Sequence, residues 1–263
     1  MREAGPGSFG ANPSFFDLAR AQGMGAPDPK APSEGGAVTP PHGTTVLALR
    51  FADGIVMAGD RRAVEGTAVA DRRMDKVFPA DDYSTVAIAG VAAQAIELVR
   101  LFQTELEHYE KVEGEGLSLD GKANRLAQMI RSWMPLVMQG LIVVPIFAGY
   151  DLSRGEGRIY RYDVIGGRYE GIDFHATGSG GRDAKGSLKK RYRDDLDRGE
   201  AVRVAVEALL DASEEDTATG APDPRRGIYP TVYVVTADGA DRVVEDEVRQ
   251  AYEDVLERRT ETG

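Results

Sequence analysis

The chain reads HGTTVLALRFADGIVMAGDRR from residue 42 to residue 62. Two runs rich in apolar and β-branched residues, 46–50 and 54–59, flank the turn signal Ala52-Asp53-Gly54 and predict a β-hairpin. Gly43 precedes the first run and allows the backbone to turn sharply there. The stretch therefore predicts that the folded part of the chain begins at Thr44.

Thr44 has two interpretations, a catalytic one and a purely structural one. If the chain is cut between Gly43 and Thr44, the new N-terminus supplies a hydroxyl nucleophile and an α-amine base on one residue. An α-amine with a pKa of about 7.7–8.0 can hold a proton transiently near neutral pH. The alternative is a β-branched residue that starts a strand, which threonine favours on structural grounds alone.

The first 43 residues differ in composition from the rest. Glycine and proline occupy 15 of these 43 positions, and apolar periodicity is almost absent. Such a segment buries too little surface to offset the entropy of ordering it. The run PSFFDLAR at residues 13–20 interrupts it. Two interpretations stay open here: a disordered tail with incidental aromatic residues, or a propeptide with one docking element.

Composition excludes several classes of function. The net charge of −11 argues against nucleic acid as a partner, because phosphate binding needs a basic surface. The absence of cysteine excludes a thiol nucleophile, a thiolate metal site and disulfides, and it fits a cytoplasmic location. The histidines lack metal-ligand spacing, so we expect no metal and no cofactor. We expect no membrane span and no secretion signal.

Periodicity after Thr44 predicts an alternation of strands and helices. Helical spacing marks segments near 95–109, 123–137, 182–194, 199–213 and 248–255, and Pro135 should kink or end the second of them. Further strands are predicted at 76–78, 84–89, 141–147, 158–164, 168–175 and 231–236. Two apolar sheets with helices outside both give an α+β fold, a four-layer αββα sandwich of antiparallel sheets.

Asp60 and Lys76 form a second candidate pair. Asp60 ends the second strand of the hairpin, and Lys76 begins a later strand. A lysine beside the α-amine of Thr44 would lower the pKa of that amine by like-charge repulsion, and Asp60 would orient the lysine and keep it charged. The alternative is two unrelated surface charges, and the sequence alone does not bring them together.

Two glycine-containing junctions are ambiguous. At residues 89–92 a strand ends and a helix begins, so backbone N–H groups could face an oxyanion, or the segment is a plain turn. At residues 178–181 the run GSGG is not followed by the Lys and Ser/Thr that end a P-loop motif, which argues against phosphate binding. The basic run at 185–193 is typical of a solvated helix face.

Several motifs in order resemble one family. The chain is similar to β-type subunits of the 20S proteasome, of the actinobacterial kind, over about residues 44–258. The matching motifs are GTTV (43–46), VMAGDRR (56–62), DKV (75–77), AIAG (87–90), ATGSG (176–180), DTATG (216–220) and PD (222–223). The resemblance implies an N-terminal-nucleophile hydrolase, with a propeptide at 1–43 removed autocatalytically between Gly43 and Thr44, and a catalytic domain at 44–263.

The resemblance also implies site residues. Thr44 is nucleophile and base, Asp60 and Lys76 support it, and the Gly90 N–H is the oxyanion donor. The residues around the threonine amine are Ser179, Asp216 and Thr219, the last of which is often serine in the family. The primary specificity pocket corresponds to Ala63, Met74, Ile88 and Ala92. Val64, often threonine in the family, would bind substrate through its backbone.

The implied function is a threonine endopeptidase that degrades unfolded proteins in a closed chamber, with chymotrypsin-like preference. The implied partners are further copies in heptameric rings, α-type subunits and, indirectly, a ring ATPase with tagged protein substrates. Two alternatives stay open: a subunit of a related bacterial ATP-dependent threonine protease, and a non-catalytic ring scaffold. The intact Thr44, Asp60 and Lys76 argue against the scaffold.

Overall fold

The computed structural model describes residues 43–66, 68–171 and 173–262. The strands are β1 Thr45–Phe51, β2 Gly54–Gly59, β3 Ala63–Glu65, β4 Ala68–Asp71, β5 Val77–Asp81, β6 Ser84–Gly90, β7 Val143–Asp151, β8 Glu156–Tyr162, β9 Arg168–Gly171, β10 Phe174–Gly178, β11 Thr231–Thr236 and β12 Gly239–Arg242. The helices are α1 Ala92–Glu113, α2 Leu119–Ser132, α3 Met134–Val137, α4 Gly181–Arg191, α5 Arg198–Glu215 and α6 Glu245–Thr262.

Ten of these strands form two five-stranded sheets. The first has the order β10-β1-β2-β11-β12 and the second the order β5-β6-β7-β8-β9, while β3 and β4 form a separate hairpin. Every pairing in both sheets is antiparallel. The predicted β1–β2 hairpin is confirmed, with Val46 opposite Gly59 and Phe51 opposite Gly54.

The sheets are buried on both faces. Along β1, Val46 and Ala48 pack between the two sheets, whereas Leu47 and Leu49 pack under helices. This division follows from the period of two along a strand. A sheet buried on both faces gives a continuous apolar run in the sequence, as residues 46–49 of β1 do.

Helices cover the outer face of each sheet. Val202 and Leu209 of α5 belong to the apolar cluster on the first sheet, which α4 and α6 complete. Phe102 of α1 and Leu126 of α2 belong to the cluster on the second sheet. The α+β class and the predicted αββα sandwich are thereby confirmed. No helix in the described ranges is long and apolar enough to cross a bilayer.

The single strand predicted at 168–175 is wrong. Residues in this range form two strands, since β9 pairs with β8 in the second sheet and β10 pairs with β1 in the first. The chain passes from one sheet to the other between them. Alternation of apolar and polar residues continues through such a crossing, so the pattern does not reveal it.

Three smaller features of the structure bear on the predicted strands and helices. The β3–β4 hairpin escaped prediction because β4 is exposed throughout and has no buried face to mark it. Tyr109, predicted on the buried face of α1, is 38% exposed. The prediction for Pro135 is confirmed: α2 ends at Ser132, and the proline lies in the first turn of α3, where its missing N–H costs nothing.

Candidate active site

Thr44 lies at an intact peptide bond immediately before β1. The residue is buried, and its Oγ1 donates a 2.7 Å hydrogen bond to the carbonyl oxygen of Gly43. The hydroxyl of Thr44 and the carbonyl group of Gly43 are therefore in direct contact. The geometry thus places the Thr44 hydroxyl against the Gly43–Thr44 peptide bond.

Asp60 and Lys76 meet beside this bond. The β1–β2 pairing brings Asp60 next to Thr45, whose N–H donates to Asp60 Oδ1 at 2.7 Å. Lys76, just before β5, places its Nζ 2.7 Å from the same oxygen. The two side chains are 0% and 2% exposed. The interpretation as unrelated surface charges is therefore wrong.

The ammonium of Lys76 has two further acceptors. Nζ donates to the carbonyl oxygen of Gly43 at 2.9 Å and to that of Arg62 at 2.6 Å. Burial lowers the pKa of Lys76, and the nearby charge of Asp60 opposes this shift without cancelling it. The lysine can therefore polarise the Gly43 carbonyl and is also closer than an ordinary lysine to exchanging a proton.

Asp60 also ties three segments together. In addition to Lys76 and Thr45, its carboxylate accepts from the N–H of Arg62 at 2.9 Å and from the N–H of Gly220 at 2.8 Å. The second bond anchors the loop at residues 216–220. These donors compensate for the loss of hydration of a fully buried carboxylate.

Ser179, Asp216 and Thr219 form a cluster next to Thr44. Ser179 Oγ and Thr219 Oγ1 donate to Asp216 Oδ2 at 2.5 Å and 2.6 Å. The Thr44 N–H makes a longer contact, 3.4 Å, to Ser179 Oγ. Burial raises the pKa of Asp216, but the hydrogen bonds from Ser179, Thr219 and the Ala218 N–H outweigh it and hold the pKa below its usual range.

Gly90 occupies the junction between β6 and α1. Its φ is +123°, and a Cβ there would lie 2.1 Å from the carbonyl oxygen of Ile142. Only glycine fits this position. Within the described residues no hydrogen bond joins Gly90 to Thr44, so its role as oxyanion donor stays a prediction.

The four residues implied for the specificity pocket do not all line one cavity in the structure. Met74 lines a cavity of about 350 Å³ with the apolar side chains of Phe78 and Ile96. The remaining lining residues are Val99, Asp71, Asp75, Arg100 and Gln103. The charged residues among them have no counterpart in the predicted pocket. Ala63, Ile88 and Ala92 do not line this cavity, so the assembly of all four into one pocket stays a prediction.

Val64 contacts the site through its side chain. A Cβ on Gly43 would lie 2.6 Å from Val64 Cγ2 and 2.6 Å from the carbonyl oxygen of Ala218. Gly43 is thus enclosed on two sides. The resemblance implied only a backbone contact of Val64 with substrate, so this side-chain packing was not predicted.

Thr45 was also missed. Its hydroxyl is 2.6 Å from that of Thr219 and accepts from the Gly180 N–H at 3.0 Å. The available signal was the second threonine of the GTT motif, which is typical of an ordinary strand residue.

Within the described ranges, no group of three or more histidine, aspartate or glutamate side chains could hold a metal ion.

Comparison with known proteins gives the family. A family model described as "Proteasome subunit" matches residues 41–222. The chain is 60% identical over 203 residues to the Proteasome subunit beta of Acidimicrobium ferrooxidans, covering 77% of this chain and 74% of that protein. It is 50% identical over 270 residues to the Proteasome subunit beta of Acidothermus cellulolyticus, covering 97% and 93%.

A third relative is the Proteasome subunit beta of Streptomyces griseus, 54% identical over 226 residues, covering 86% of this chain and 80% of that protein. The residues matched by the family model include Thr44, Asp60, Lys76 and the cluster of Ser179, Asp216 and Thr219. The resemblance stated from the sequence motifs is thereby confirmed. The chain belongs to the proteasome family, as a β-type subunit.

Proposed function

We propose that the chain is the precursor of a threonine-type endopeptidase, the catalytic β subunit of a 20S proteasome core. One observation carries the proposal: Thr44 Oγ1 and Lys76 Nζ both contact the carbonyl oxygen of Gly43, at 2.7 Å and 2.9 Å. A nucleophile and a cation thus converge on a single peptide bond, the bond that separates residues 1–43 from the catalytic domain.

Self-cleavage follows from this arrangement in two steps. Thr44 Oγ bonds to the Gly43 carbonyl carbon, the C–N bond breaks, and the hydroxyl proton passes to the departing nitrogen, leaving an ester. Water then hydrolyses the ester, which frees the leader and restores the hydroxyl. Lys76 stabilises the negative charge that develops on the carbonyl oxygen, and the Gly90 N–H is the proposed second donor.

Cleavage of substrates reuses the same hydroxyl. The free α-amine of Thr44 supplies the base, which takes the proton of Oγ as Oγ attacks the substrate carbonyl, and the charge of Lys76 favours the neutral form of that amine. Asp60 holds Lys76 in place. Ser179, Asp216 and Thr219 surround the amine. The product amine leaves with the proton, and water hydrolyses the acyl-enzyme.

The substrate preference is proposed to be chymotrypsin-like. Ala63, Met74, Ile88 and Ala92 carry no charge, so a pocket that they line would favour a large apolar side chain before the scissile bond. A charged side chain there would lose its hydration without a compensating partner. Met74 can adapt its shape, so preference among apolar residues should be loose.

Assembly and location are proposals as well. The family supports incorporation into a core with α-type subunits and with further copies of this chain in heptameric rings. A ring ATPase and tagged, unfolded proteins would be indirect partners, in the cytoplasm. Each of the three relatives is named Proteasome subunit beta, which supports incorporation of this chain into a proteasome core.

The proposal is tested on protein co-expressed with an α-type partner. The wild type and Thr44→Ser should hydrolyse a fluorogenic peptide, and Thr44→Ala should not. A peptide electrophile should add to Thr44, located by mass mapping of the N-terminal fragment. An assembled wild-type particle without hydrolysis and without adduct would contradict the proposal and support a scaffold role.

A further inference from the structure

Thr45 is the residue after the proposed nucleophile, and it is completely buried. Its Oγ1 lies 2.6 Å from Thr219 Oγ1 and accepts a 3.0 Å hydrogen bond from the N–H of Gly180, the residue before α4. The side chain thus connects the start of β1 to the loop at 216–220 and to the first turn of a helix.

The direction of these hydrogen bonds can be assigned by counting protons. A threonine hydroxyl has one proton to donate. Thr219 Oγ1 gives its proton to the carboxylate of Asp216 at 2.6 Å. The proton between the two hydroxyls must therefore come from Thr45, whose oxygen is free to accept from Gly180.

Ser179 receives its orientation from the same carboxylate. Its hydroxyl donates to Asp216 Oδ2 at 2.5 Å, so the lone pairs of its oxygen face the nitrogen of Thr44, 3.4 Å away. Donors from both sides converge on Asp216. Neighbouring hydrogen bonds in such a chain polarise and strengthen each other. Ser179 is thereby held as an acceptor toward the nitrogen that becomes the α-amine.

The packing at Gly180 independently supports the contact between the Thr45 and Thr219 hydroxyls. A Cβ on Gly180 would lie 2.7 Å from both hydroxyl oxygens, those of Thr45 and Thr219. The φ of Gly180 is −88°, which any residue adopts. Glycine is therefore needed here for the close approach of the two hydroxyls and not for its backbone freedom.

We propose that Thr45 is a positioning residue for the reaction: its hydroxyl fixes the direction of the hydrogen bonds that present Ser179 to the α-amine of Thr44. The inference rests on the proposed function. None of the contacts involves Gly43, so the chain Gly180–Thr45–Thr219–Asp216 is available before and after cleavage.

The test compares Thr45→Val, which removes the hydroxyl at nearly constant volume, with Thr45→Ser, which keeps it. Assembled protein is assayed with an apolar fluorogenic peptide, and rates are divided by the fraction of chains that begin at Thr44. Thr45→Val should lower kcat about tenfold, the equivalent of one hydrogen bond, with KM unchanged. Thr45→Ser should restore most of the wild-type kcat.

Thr85→Val is the matched control, because Thr85 is an equally buried strand threonine whose hydroxyl lies 3.5 Å from the Ala148 carbonyl oxygen. It should keep the wild-type kcat. Gly180→Ala, which removes no hydroxyl, should lower kcat as Thr45→Val does.

The inference would be overturned if Thr45→Val or Gly180→Ala kept the wild-type kcat per processed site. It would also be overturned if Thr45→Ser lost as much kcat as Thr45→Val. If Thr45→Val fails to assemble, Gly180→Ala decides. Absence of hydrolysis by the wild type would instead overturn the proposed function, and this inference with it.

Discussion

The ammonium of Lys76 donates a 2.9 Å hydrogen bond to the carbonyl oxygen of Gly43 while the Gly43–Thr44 bond is intact. The same nitrogen is held by Asp60 at 2.7 Å. The lysine therefore contacts this peptide bond before any α-amine exists. Its contribution to the proposed self-cleavage can be measured separately from its contribution to the proposed peptide hydrolysis.

Replacing Lys76 by methionine should slow both reactions. The change keeps the length of the side chain but removes the charge next to the Gly43 carbonyl, and loss of one such donor typically costs about 10²–10³ in rate. The appearance of chains that begin at Thr44, followed by intact mass, reports the first reaction. Hydrolysis of a fluorogenic peptide reports the second.

Lys122→Met is the control for this change. Lys122 is also largely buried and pairs with Asp81 at 2.7 Å, at the start of α2 and outside the cluster around Thr44. Its rates should match those of the wild type. Wild-type processing and hydrolysis in Lys76→Met would remove Lys76 from the mechanism.

The proposed apolar pocket predicts a ranking of peptides. Burial of an apolar side chain contributes about 1.5–3 kcal/mol, so kcat/KM for leucine or tyrosine before the scissile bond should exceed that for aspartate or lysine by about 10- to 100-fold. A panel of fluorogenic peptides that differ only at this position measures the ratio. A preference for charged residues would point instead to Asp71, Asp75 and Arg100, which line the cavity at Met74.

A buried arginine supports the second sheet. Arg158 of β8 is 3% exposed and pairs with Asp120 at 2.6 Å, Asp151 at 2.9 Å and Glu170 at 2.7 Å. Arg158→Met should lower the free energy of unfolding by about 3–5 kcal/mol, because the buried Asp151 loses its nearest cation and keeps only the longer ion pair with Arg154. Chemical denaturation measures the loss.

The neighbouring Arg154 provides the comparison. Its side chain is 55% exposed, and its Nε lies 3.8 Å from Asp151. Arg154→Met should change the free energy of unfolding by only about 0–1 kcal/mol, as expected for an exposed ion pair. Equal effects of the two substitutions would show that the burial of Arg158 does not matter.

His175 predicts a loss of stability in acid. Burial, together with the charges of Lys185 and Arg161, lowers its pKa to about 4. Between that value and about 6.5, the ordinary histidine pKa, the unfolded chain binds a proton that the folded chain does not. The folded state therefore loses stability as the pH falls through this window.

His175→Gln isolates this contribution, because glutamine does not titrate. Denaturation at a series of pH values should show the wild type losing more stability than the variant between about pH 6.5 and pH 4. Parallel curves for the two proteins would mean that His175 titrates normally in the folded state.

The sequence predicted those parts of the fold that depend on local pattern. The β1–β2 hairpin follows from two apolar runs around Asp53-Gly54, and the end of α2 follows from Pro135. The strand break between β9 and β10 could not be predicted, because passage between sheets leaves no mark on alternation. The Arg158 cluster joins residues 38 positions apart, Asp120 and Arg158, and has no local signature.

In the candidate site, too, some contacts follow from local sequence pattern and others depend on long-range packing. The position of Asp60 beside Thr45 follows from the hairpin register, which the sequence predicts. The contact of Asp60 with Lys76 joins a residue at the end of β2 to one before β5 in the other sheet, and only the packing of the two sheets creates it. The sequence proposed the two residues as a candidate pair, but their spacing could not show that they meet.

The intact mass of the assembled protein, wild type beside Thr44→Ala, tests the central claim most directly. The account predicts a wild-type chain that begins at Thr44 and a Thr44→Ala chain that keeps residues 1–43, with no added protease in either preparation. A Thr44→Ala chain cut after Gly43, or a wild-type particle that retains its leader, would contradict self-cleavage by Thr44.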